Sequence, residues 1–309
     1  MVAFDGGDDK SRTLDGRSVG TINPNLSAVA DITSVRTLDR NKSVSFLGSC
    51  KGGPFDISEA EAIELLLSPG NPHGRPNSDV LRPVANSEDL LKTRNRRWII
   101  DSSDLTMDAF CLYEKPCKIV TDRVKPLRDQ NRDKWLRENW WRPQRMRPEM
   151  RSAVSELNRF IITPTTAKHR VFIWLAAPIL PDHQLIIFAS SADGVFGVLH
   201  SRFHEIWSLA QGTQLREKAS GFRYTPTTCF ETFPMPAPTP EQEQAIGEAA
   251  KELSERRERW LNPPEWTRPE VLEFPGTVGG PWSRFIDPAT VTDPPSRGKI
   301  GRASCRERV

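Results

Sequence analysis

The sequence predicts an α+β protein: a mixed-sheet domain with flanking helices, followed by a C-terminal helical tail. Two observations support this fold class. Short segments rich in β-branched and aromatic residues alternate with helix-capping patterns up to residue 235. The proline-rich stretch Met235–Pro240 then leads into one long, highly charged helical segment. The 309 residues are 37% hydrophobic and include nine tryptophans, which is enough apolar material for a folded core.

The predicted strands are short runs of β-branched and aromatic residues bounded by turn-forming residues. They are Ser43–Leu47, Arg97–Asp101, Phe160–Thr163, Arg170–Leu175, Leu185–Ala189, Val195–Leu199 and Phe222–Tyr224. Leu185–Ala189 is apolar throughout, which predicts a central strand.

The predicted helices are marked by capping residues and by charge pairs. Ser58 and Glu61 have the spacing of a capping box, in which the hydroxyl and the carboxylate satisfy each other's backbone amides. Thr106 is expected to cap a second helix. A third helix is supported by Asp133/Arg137 and Lys134/Glu138 at four-residue spacing. This third helix is predicted over Pro126–Asn139. Two further helices are predicted over Ser201–Leu209 and Glu241–Trp260.

Basic residues are concentrated between Asp122 and Arg159. This segment has eleven basic and six acidic residues, although the net charge of the whole chain is only +3. The asymmetry predicts a polyanionic partner. The arginines are interleaved with Trp135, Trp140 and Trp141, a composition that suits the clamping of phosphates. A solvated, salt-bridged helical region with its tryptophans packed inward explains the same composition at least as well.

Neither a membrane span nor a secretory signal is predicted. No run approaches the roughly 18 apolar residues that a spanning helix needs. Residues 1–9 lack the basic and apolar sections of a signal sequence. The five cysteines form no Cys-x-x-Cys pair, which argues against a zinc ribbon and against a disulfide framework. We therefore expect a cytoplasmic protein without a membrane partner.

His200 and His204 are the most plausible metal ligands in the sequence. They stand four residues apart on a predicted helix, a spacing that can hold a metal ion from one helix face. No third ligand with a suitable spacing accompanies them, and Glu205 follows the wrong histidine for a His-Glu-x-x-His motif. A polar or phosphate-facing helix is the favoured interpretation, so we predict no metal.

Two motifs resemble one known family. The stretch Arg223–Pro234 (RYTPTTCFETFP) and the upstream stretch Gly70–Asp79 (GNPHGRPNSD) resemble the target-recognition region of MmeI-like DNA adenine methyltransferases. The resemblance is collinear from about Ile22 to Trp282. It implies a target-recognition domain of a restriction-modification or phage-defence enzyme. Such an enzyme transfers a methyl group from S-adenosylmethionine to adenine N6 at a defined DNA site.

The chain departs from that family because no catalytic motif accompanies the resemblance. Methylation of adenine N6 requires an extruded base, an Asn/Asp-Pro-Pro-aromatic loop and a glycine-rich turn for the methyl donor. The nearest match, Asn262–Glu265, has an acid where the aromatic ring is required and follows a charged helix. We therefore predict no catalytic or cofactor-binding residue here. S-adenosylmethionine is expected to bind a missing N-terminal methyltransferase domain, and this chain alone is expected to be inactive.

Candidate DNA-binding residues come from two neighbourhoods. In the family, specificity residues lie shortly before the Tyr-Thr strand, and the loop Gln211–Ser220 has the chemistry to reach base edges. Two Thr-Pro-Thr-Thr segments, Thr163–Thr166 and Thr225–Thr228, lie beside basic residues and can fix phosphates, although structural turns explain them equally well. The predicted DNA-binding residues are Gln214, Arg216, Glu217, Lys218, Arg223, Lys168, His169, Arg170 and Arg202.

These observations predict four regions. Residues 1–21 are a linker from the missing methyltransferase domain, and residues 22–235 are the DNA target-recognition domain. Residues 236–299 are a proline linker and a helical C-terminal region. Residues 300–309 resemble the translation of a sequencing adapter and are expected to be a non-native tail.

Three hypotheses of function remain open at this point. The leading one is DNA sequence recognition within a site-specific, S-adenosylmethionine-dependent adenine methyltransferase, with double-stranded DNA and the missing catalytic domain as partners. The alternative is a stand-alone specificity subunit that acts in trans with a separate methyltransferase. The third is an interaction protein with no nucleic-acid role.

Overall fold

The computed structural model describes most of the chain, including every strand and helix named below. The described residues are 11–23, 26–28, 35–68, 70–90, 97–214, 221–261, 263–264, 268–272 and 282–286. The start of the predicted linker and the predicted non-native tail, 1–10 and 300–309, lie outside these ranges.

The strands and helices are numbered separately in chain order. The strands are β1 (Arg12–Leu14), β2 (Arg17–Val19), β3 (Ser45–Leu47), β4 (Asp56–Ser58), β5 (Leu81–Ala85), β6 (Arg97–Ile100), β7 (Arg159–Pro164), β8 (Thr166–Ala167), β9 (Ile173–Ala176), β10 (Leu180–Pro181), β11 (Leu185–Phe188), β12 (Thr213–Gln214), β13 (Phe222–Arg223), β14 (Arg268–Leu272) and β15 (Trp282–Ile286). The helices are α1 (Glu59–Leu66), α2 (Met107–Cys111), α3 (Glu114–Arg123), α4 (Lys125–Asp129), α5 (Lys134–Glu138), α6 (Pro148–Val154), α7 (Asp193–His200), α8 (Arg202–Gln211) and α9 (Pro240–Leu261). This mixture confirms the α+β fold class.

The first sheet is mixed, in the order β10-β5-β6-β4. Strands β10 and β5 are parallel, whereas β5–β6 and β6–β4 are antiparallel. Helix α1 follows β4 directly, and the predicted capping box is confirmed at its start. The Glu61 amide donates to Ser58 Oγ at 3.2 Å, and the Ser58 amide donates to Glu61 Oε2 at 2.8 Å. Thr106 likewise caps α2 by accepting from the Ala109 amide.

The second sheet is antiparallel, in the order β3-β11-β7-β9. Strand β11 lies between β3 and β7 and all four of its residues are buried, so the predicted central strand is confirmed. Side chains of a strand alternate between the two faces of a sheet. Leu185 and Ile187 accordingly belong to one buried apolar cluster, whereas Ile186 and Phe188 belong to the other. The sheet is therefore covered on both faces.

The predicted strand Val195–Leu199 is wrong, because these residues form most of helix α7. The reason is a long-range contact with α9. A Cβ atom on Gly197 would lie 2.6 Å from Ile246 Cγ2, so the absent side chain lets the two helices pack closely. The absence of a side chain at Gly197 is thus required by helix packing.

The single predicted helix Pro126–Asn139 is instead two short helices, α4 and α5. Asp133 caps α5, because its Oδ1 accepts from the Trp135 amide at 2.9 Å. Arg137 therefore donates to the carbonyl oxygen atoms of Asn131 and Arg132 instead of pairing with Asp133. The predicted Lys134–Glu138 ion pair is confirmed at 3.7 Å.

The sequence argued against a disulfide framework, but the structure contains one disulfide among the described residues. Cys111 of α2 and Cys117 of α3 form a disulfide with their Cα atoms 5.0 Å apart. The five intervening residues belong to no recognised cysteine motif, so their spacing gave no signal for the bond. Cys50 and Cys229 are free thiols.

The C-terminal region begins with α9, which confirms the predicted charged helix. Strands β14 and β15, further on, pair with each other in antiparallel register. Within the described ranges, no helix combines the length and apolar character needed to cross a bilayer.

Candidate nucleic-acid interface

A small antiparallel sheet brings together most of the predicted DNA-binding region. Its order is β12-β13-β8. Arg223 of β13 lies opposite both Thr213 of β12 and Thr166 of β8. Strands β12 and β13 are the two arms of a hairpin connected by residues 215–221. Lys168 and His169 follow β8 directly, so the sheet places them next to a hairpin that is far away in the sequence.

The two faces of this sheet differ in character. Phe222 and Tyr224 are buried, and the Phe222 ring packs against the backbone of Gly212 at the end of α8. The Tyr224 hydroxyl hydrogen bonds with His204 of α8 at 2.9 Å. Because side chains alternate along a strand, Arg223 points to the opposite face, where it is exposed. We call this opposite face, with Thr166, Arg223 and Thr213 in one row, the hairpin face.

Three predicted basic residues keep the ends of their side chains available. Lys168, His169 and Arg223 are exposed, and none has a hydrogen bond or ion pair to another residue in the described part of the chain. Gly221 brings the hairpin close to Lys168, because a Cβ atom at this position would collide with the backbone of Ala167 and Lys168. Its φ of +85° is also one that glycine adopts readily.

Arg170 was predicted to contact DNA, but its guanidinium lies inside the protein. Its guanidinium donates to the carbonyl oxygen atoms of Pro164 and Phe222 and packs 5.1 Å from the centre of the Tyr224 ring. Burial lowers the pKa of Arg170 to about 10, which leaves it a cation at neutral pH. These contacts join the end of β7 to β13. Arg170 therefore supports the sheet from inside, which is a structural role.

Arg202 lies apart from the hairpin face. Its side chain is exposed at the start of α8 and pairs with Glu205 at 2.8 Å. Helix α8 covers the side of the small sheet to which Phe222 and Tyr224 point. Arg202 is thus on the other side of the sheet from Arg223.

The four predicted base-reading residues belong to the hairpin. Gln214 lies in β12, with its backbone opposite Phe222. Arg216, Glu217 and Lys218 are in the connection between β12 and β13 and lie outside the described residues. Sequence reasoning missed Thr213, which is exposed and lies beside Arg223. Only the strand register identifies it.

The two Thr-Pro-Thr-Thr segments are neighbours in space. The Tyr224 amide donates to the carbonyl oxygen of Thr165 at 2.8 Å, so the first segment runs beside the start of the second. Thr225 precedes a π-helical turn, Pro226–Phe230, that is closed by a bond from the Glu231 amide to the Pro226 carbonyl oxygen. The second segment therefore forms a structural turn, whereas the first runs from the end of β7 into β8 at the edge of the hairpin sheet.

The basic segment Asp122–Arg159 uses several arginines internally. Arg128 is only 2% exposed and donates to the carbonyl oxygen atoms of Lys51 and Arg142. Arg151 pairs with Asp101 at 2.7 Å, and Arg159 pairs with Asp193 at 3.0 Å. This pattern supports the salt-bridged interpretation and does not favour a phosphate clamp.

His204 supports the small sheet from within. Both of its ring nitrogens are engaged: Nδ1 donates to the Leu199 carbonyl oxygen and Nε2 accepts from the Tyr224 hydroxyl, each at 2.9 Å. Burial is the main cause that lowers the pKa of His204 to about 4, so the ring is neutral at physiological pH. His200 is on a different helix, α7, and bonds with the Phe172 carbonyl oxygen. Across the described ranges, no group of three or more His, Cys, Asp or Glu residues is arranged to hold a metal ion.

The Gly70–Asp79 stretch lies beside Tyr113, at the start of α3. Asp79 accepts from Arg75 at 2.6 Å and from the Tyr113 hydroxyl at 2.9 Å. Burial, followed by the bond with Asp79, raises the pKa of Tyr113 to about 12. The residues border a polar cavity of about 130 Å³ whose carboxylates Asp79 and Asp101 are paired with arginines. The stretch therefore has a local structural role.

Exposed basic residues beside a hairpin fit the surface of a nucleic-acid-recognition domain. The chain belongs to the MmeI target recognition domain family, whose profile matches residues 51–237.

The chain is also similar to a solved structure of the type IIL restriction-modification enzyme MmeI in complex with DNA. The identity is 16% and the TM-score is 0.58, and the match covers 79% of this chain and 32% of that one. At this identity the likeness shows the shared fold alone. The chain thus spans about a third of the length of the enzyme that it matches. No curated protein matches the chain.

Proposed function

We propose that this chain recognises a specific sequence of double-stranded DNA for an S-adenosylmethionine-dependent adenine N6 methyltransferase of a restriction-modification or phage-defence system. The observation that carries the proposal is the hairpin face. It places the exposed Lys168, His169 and Arg223 around a hairpin, in a chain that belongs to a target-recognition family. The solved relative is a DNA complex, which supports the same partner.

The residues divide into two roles under this proposal. Lys168, His169 and Arg223 contact phosphates, which positions the domain but carries little sequence information. The base edges are assigned to the hairpin, in which Gln214 suits adenine, Arg216 suits guanine and Glu217 can accept from cytosine. Lys218 adds a further cation or guanine contact. Thr213 and Thr166 offer hydroxyl groups on the same face.

Methyl transfer is assigned to a separate domain. S-adenosylmethionine would bind there, and base extrusion would occur in that domain's pocket. The task of the present chain is to hold the duplex in a fixed register relative to it. The chain alone is therefore expected not to methylate DNA.

Equilibrium binding to duplex DNA tests the proposal. Affinity should fall steeply between about 50 and about 200 mM salt, because each neutralised phosphate releases counterions. A specific competitor should displace the labelled duplex better than a scrambled competitor of the same length. Absence of binding even at low salt would reject the proposal and favour an interaction protein with no nucleic-acid role.

A further inference from the structure

Helix α8 buries two polar residues and exposes three apolar ones. His204 and Ser208 are buried at 0% and 1% exposure, whereas Phe203 is 82%, Ile206 54% and Leu209 53% exposed. The three apolar residues are spaced three apart, so they lie along one side of the helix. We call this side, Phe203, Ile206 and Leu209, the outer face of α8. An amphipathic surface helix usually turns such residues toward the core, as α8 itself does with Trp207 beside Phe233.

The orientation of α8 is fixed by its buried polar contacts. His204 is held between the Leu199 carbonyl oxygen and the Tyr224 hydroxyl. Ser208 accepts, through its carbonyl oxygen, a weak bond from the Cys229 thiol. A rotation that buried Phe203 would break these contacts and leave polar atoms unpaired inside the protein. The helix therefore cannot hide its outer face without a partner.

The position of the outer face disfavours DNA as that partner. Helix α8 packs on the Phe222 and Tyr224 side of the hairpin sheet, whereas Arg223 points to the other side. The cation nearest in sequence to the outer face, Arg202, is paired with Glu205 at 2.8 Å. Phosphate binding depends on cations that can replace counterions, and three apolar side chains cannot do so. A contiguous exposed apolar patch of this kind is typical of a protein interface.

The rest of the enzyme is the partner that best fits. The chain belongs to a target-recognition family and spans only about a third of the length of the related enzyme. The outer face is joined to the hairpin through Gly212 alone, so whatever covers α8 is held close to the bases that the hairpin reads. A methyltransferase domain needs this fixed relation to its target base.

We propose that the outer face of α8 is the docking surface for the methyltransferase domain that works with this chain. The proposal rests on the proposed function for the identity of the partner. It goes further by assigning the contact to Phe203, Ile206 and Leu209. The contact is apolar, so it should strengthen relative to the DNA contact as salt rises.

A triple variant tests the docking surface. Phe203→Gln, Ile206→Gln and Leu209→Gln are combined, because exposed helix positions accept glutamine without loss of folding. The control combines Met107→Gln, Leu112→Gln and Leu127→Gln, which are also exposed apolar residues but lie on or beside α2 and α4. Binding of each chain to the separately produced methyltransferase domain encoded with it, in frame or in the next gene, is measured by sedimentation and calorimetry. Thermal unfolding verifies that each variant is folded.

The expected result is at least a tenfold weaker complex for the triple variant, an unchanged complex for the control, and unchanged DNA binding by all three chains. Equal affinity of the wild-type chain and the triple variant would overturn the proposal. Failure of the wild-type chain to bind the domain would also overturn it. A loss of DNA binding would assign the outer face to DNA, and a wild-type dimer abolished by the variant would assign it to a second copy. A folded wild-type chain that docks but does not bind DNA would instead contradict the proposed function.

Discussion

The Nε2 atom of His204 lies 2.9 Å from the hydroxyl oxygen of Tyr224, and both side chains are almost completely buried. This bond joins α8 to the strand that carries Arg223. The Arg170 guanidinium carbon lies 5.1 Å from the centre of the same tyrosine ring. A buried polar cluster of three residues thus sets the position of the proposed DNA-binding face.

Tyr224→Phe should destabilise the protein by about 1 to 3 kcal/mol, because it leaves the buried His204 Nε2 without a donor. The free energy of unfolding in urea measures this loss. Tyr113→Phe is the matched comparison and should cost less, since its partner Asp79 keeps the ion pair with Arg75. A larger loss for Tyr113→Phe would contradict this assignment.

Stability should fall in acid partly because of His204. Its pKa is lowered from the ordinary 6.5 to about 4 by burial, with further lowering by Arg170 and His200. A histidine whose folded pKa is depressed stabilises the fold fully above pH 6.5, and this contribution is lost as the pH falls towards 4. The loss is on the order of 3 kcal/mol. His204→Gln should flatten the slope of unfolding free energy in that pH window, and an unchanged slope would show that the histidine titrates normally.

Lys168→Ala and Arg223→Ala should each weaken DNA binding by a similar factor for all sequences. Each should also reduce the salt slope by about 1, because one phosphate contact is lost. Lys118→Ala is the control, since Lys118 is also exposed but is paired with Asp122 on α3. The measurement is the salt dependence of the dissociation constant for each of the three variants. If all three variants bind equally well, the hairpin face does not contact phosphates.

Arg170→Met should act on stability and not directly on DNA. The guanidinium donates to the backbone carbonyl oxygen atoms of Pro164 and Phe222, so the substitution removes both of these hydrogen bonds inside the protein. We expect a loss of about 1 to 3 kcal/mol in unfolding free energy. The salt slope of DNA binding, measured where the variant is folded, should stay unchanged. A slope reduced by about 1 would show that Arg170 contacts a phosphate.

Local signals in the sequence predicted the elements that depend on neighbouring residues. The capping residues Ser58 and Thr106 are correct, because a cap is satisfied by an amide three residues away. The strand Leu185–Ala189 was placed correctly in the centre of a sheet, because an apolar run must be covered on both faces.

Features that depend on distant residues could not be predicted. Val195–Leu199 is helical because Gly197 fits against α9, a contact that the local pattern does not contain. The predicted basic residues lie in different environments for a similar reason. Lys168 and Arg223 share a surface through strand pairing, while Arg170 is drawn inward by the Tyr224 ring. The Cys111–Cys117 disulfide likewise depends on how α2 meets α3.

Sequence selection from a pool of random duplexes tests the central claim most directly. The wild-type chain should enrich one defined site, and Arg216→Ala should relax the preference at one position by about 1 to 3 kcal/mol while leaving phosphate binding intact. When the chain is joined to the methyltransferase domain, the methylated site should relax at the same position. An identical enriched site for both chains, or no enrichment by the wild-type chain, would contradict the assignment of base recognition to this hairpin.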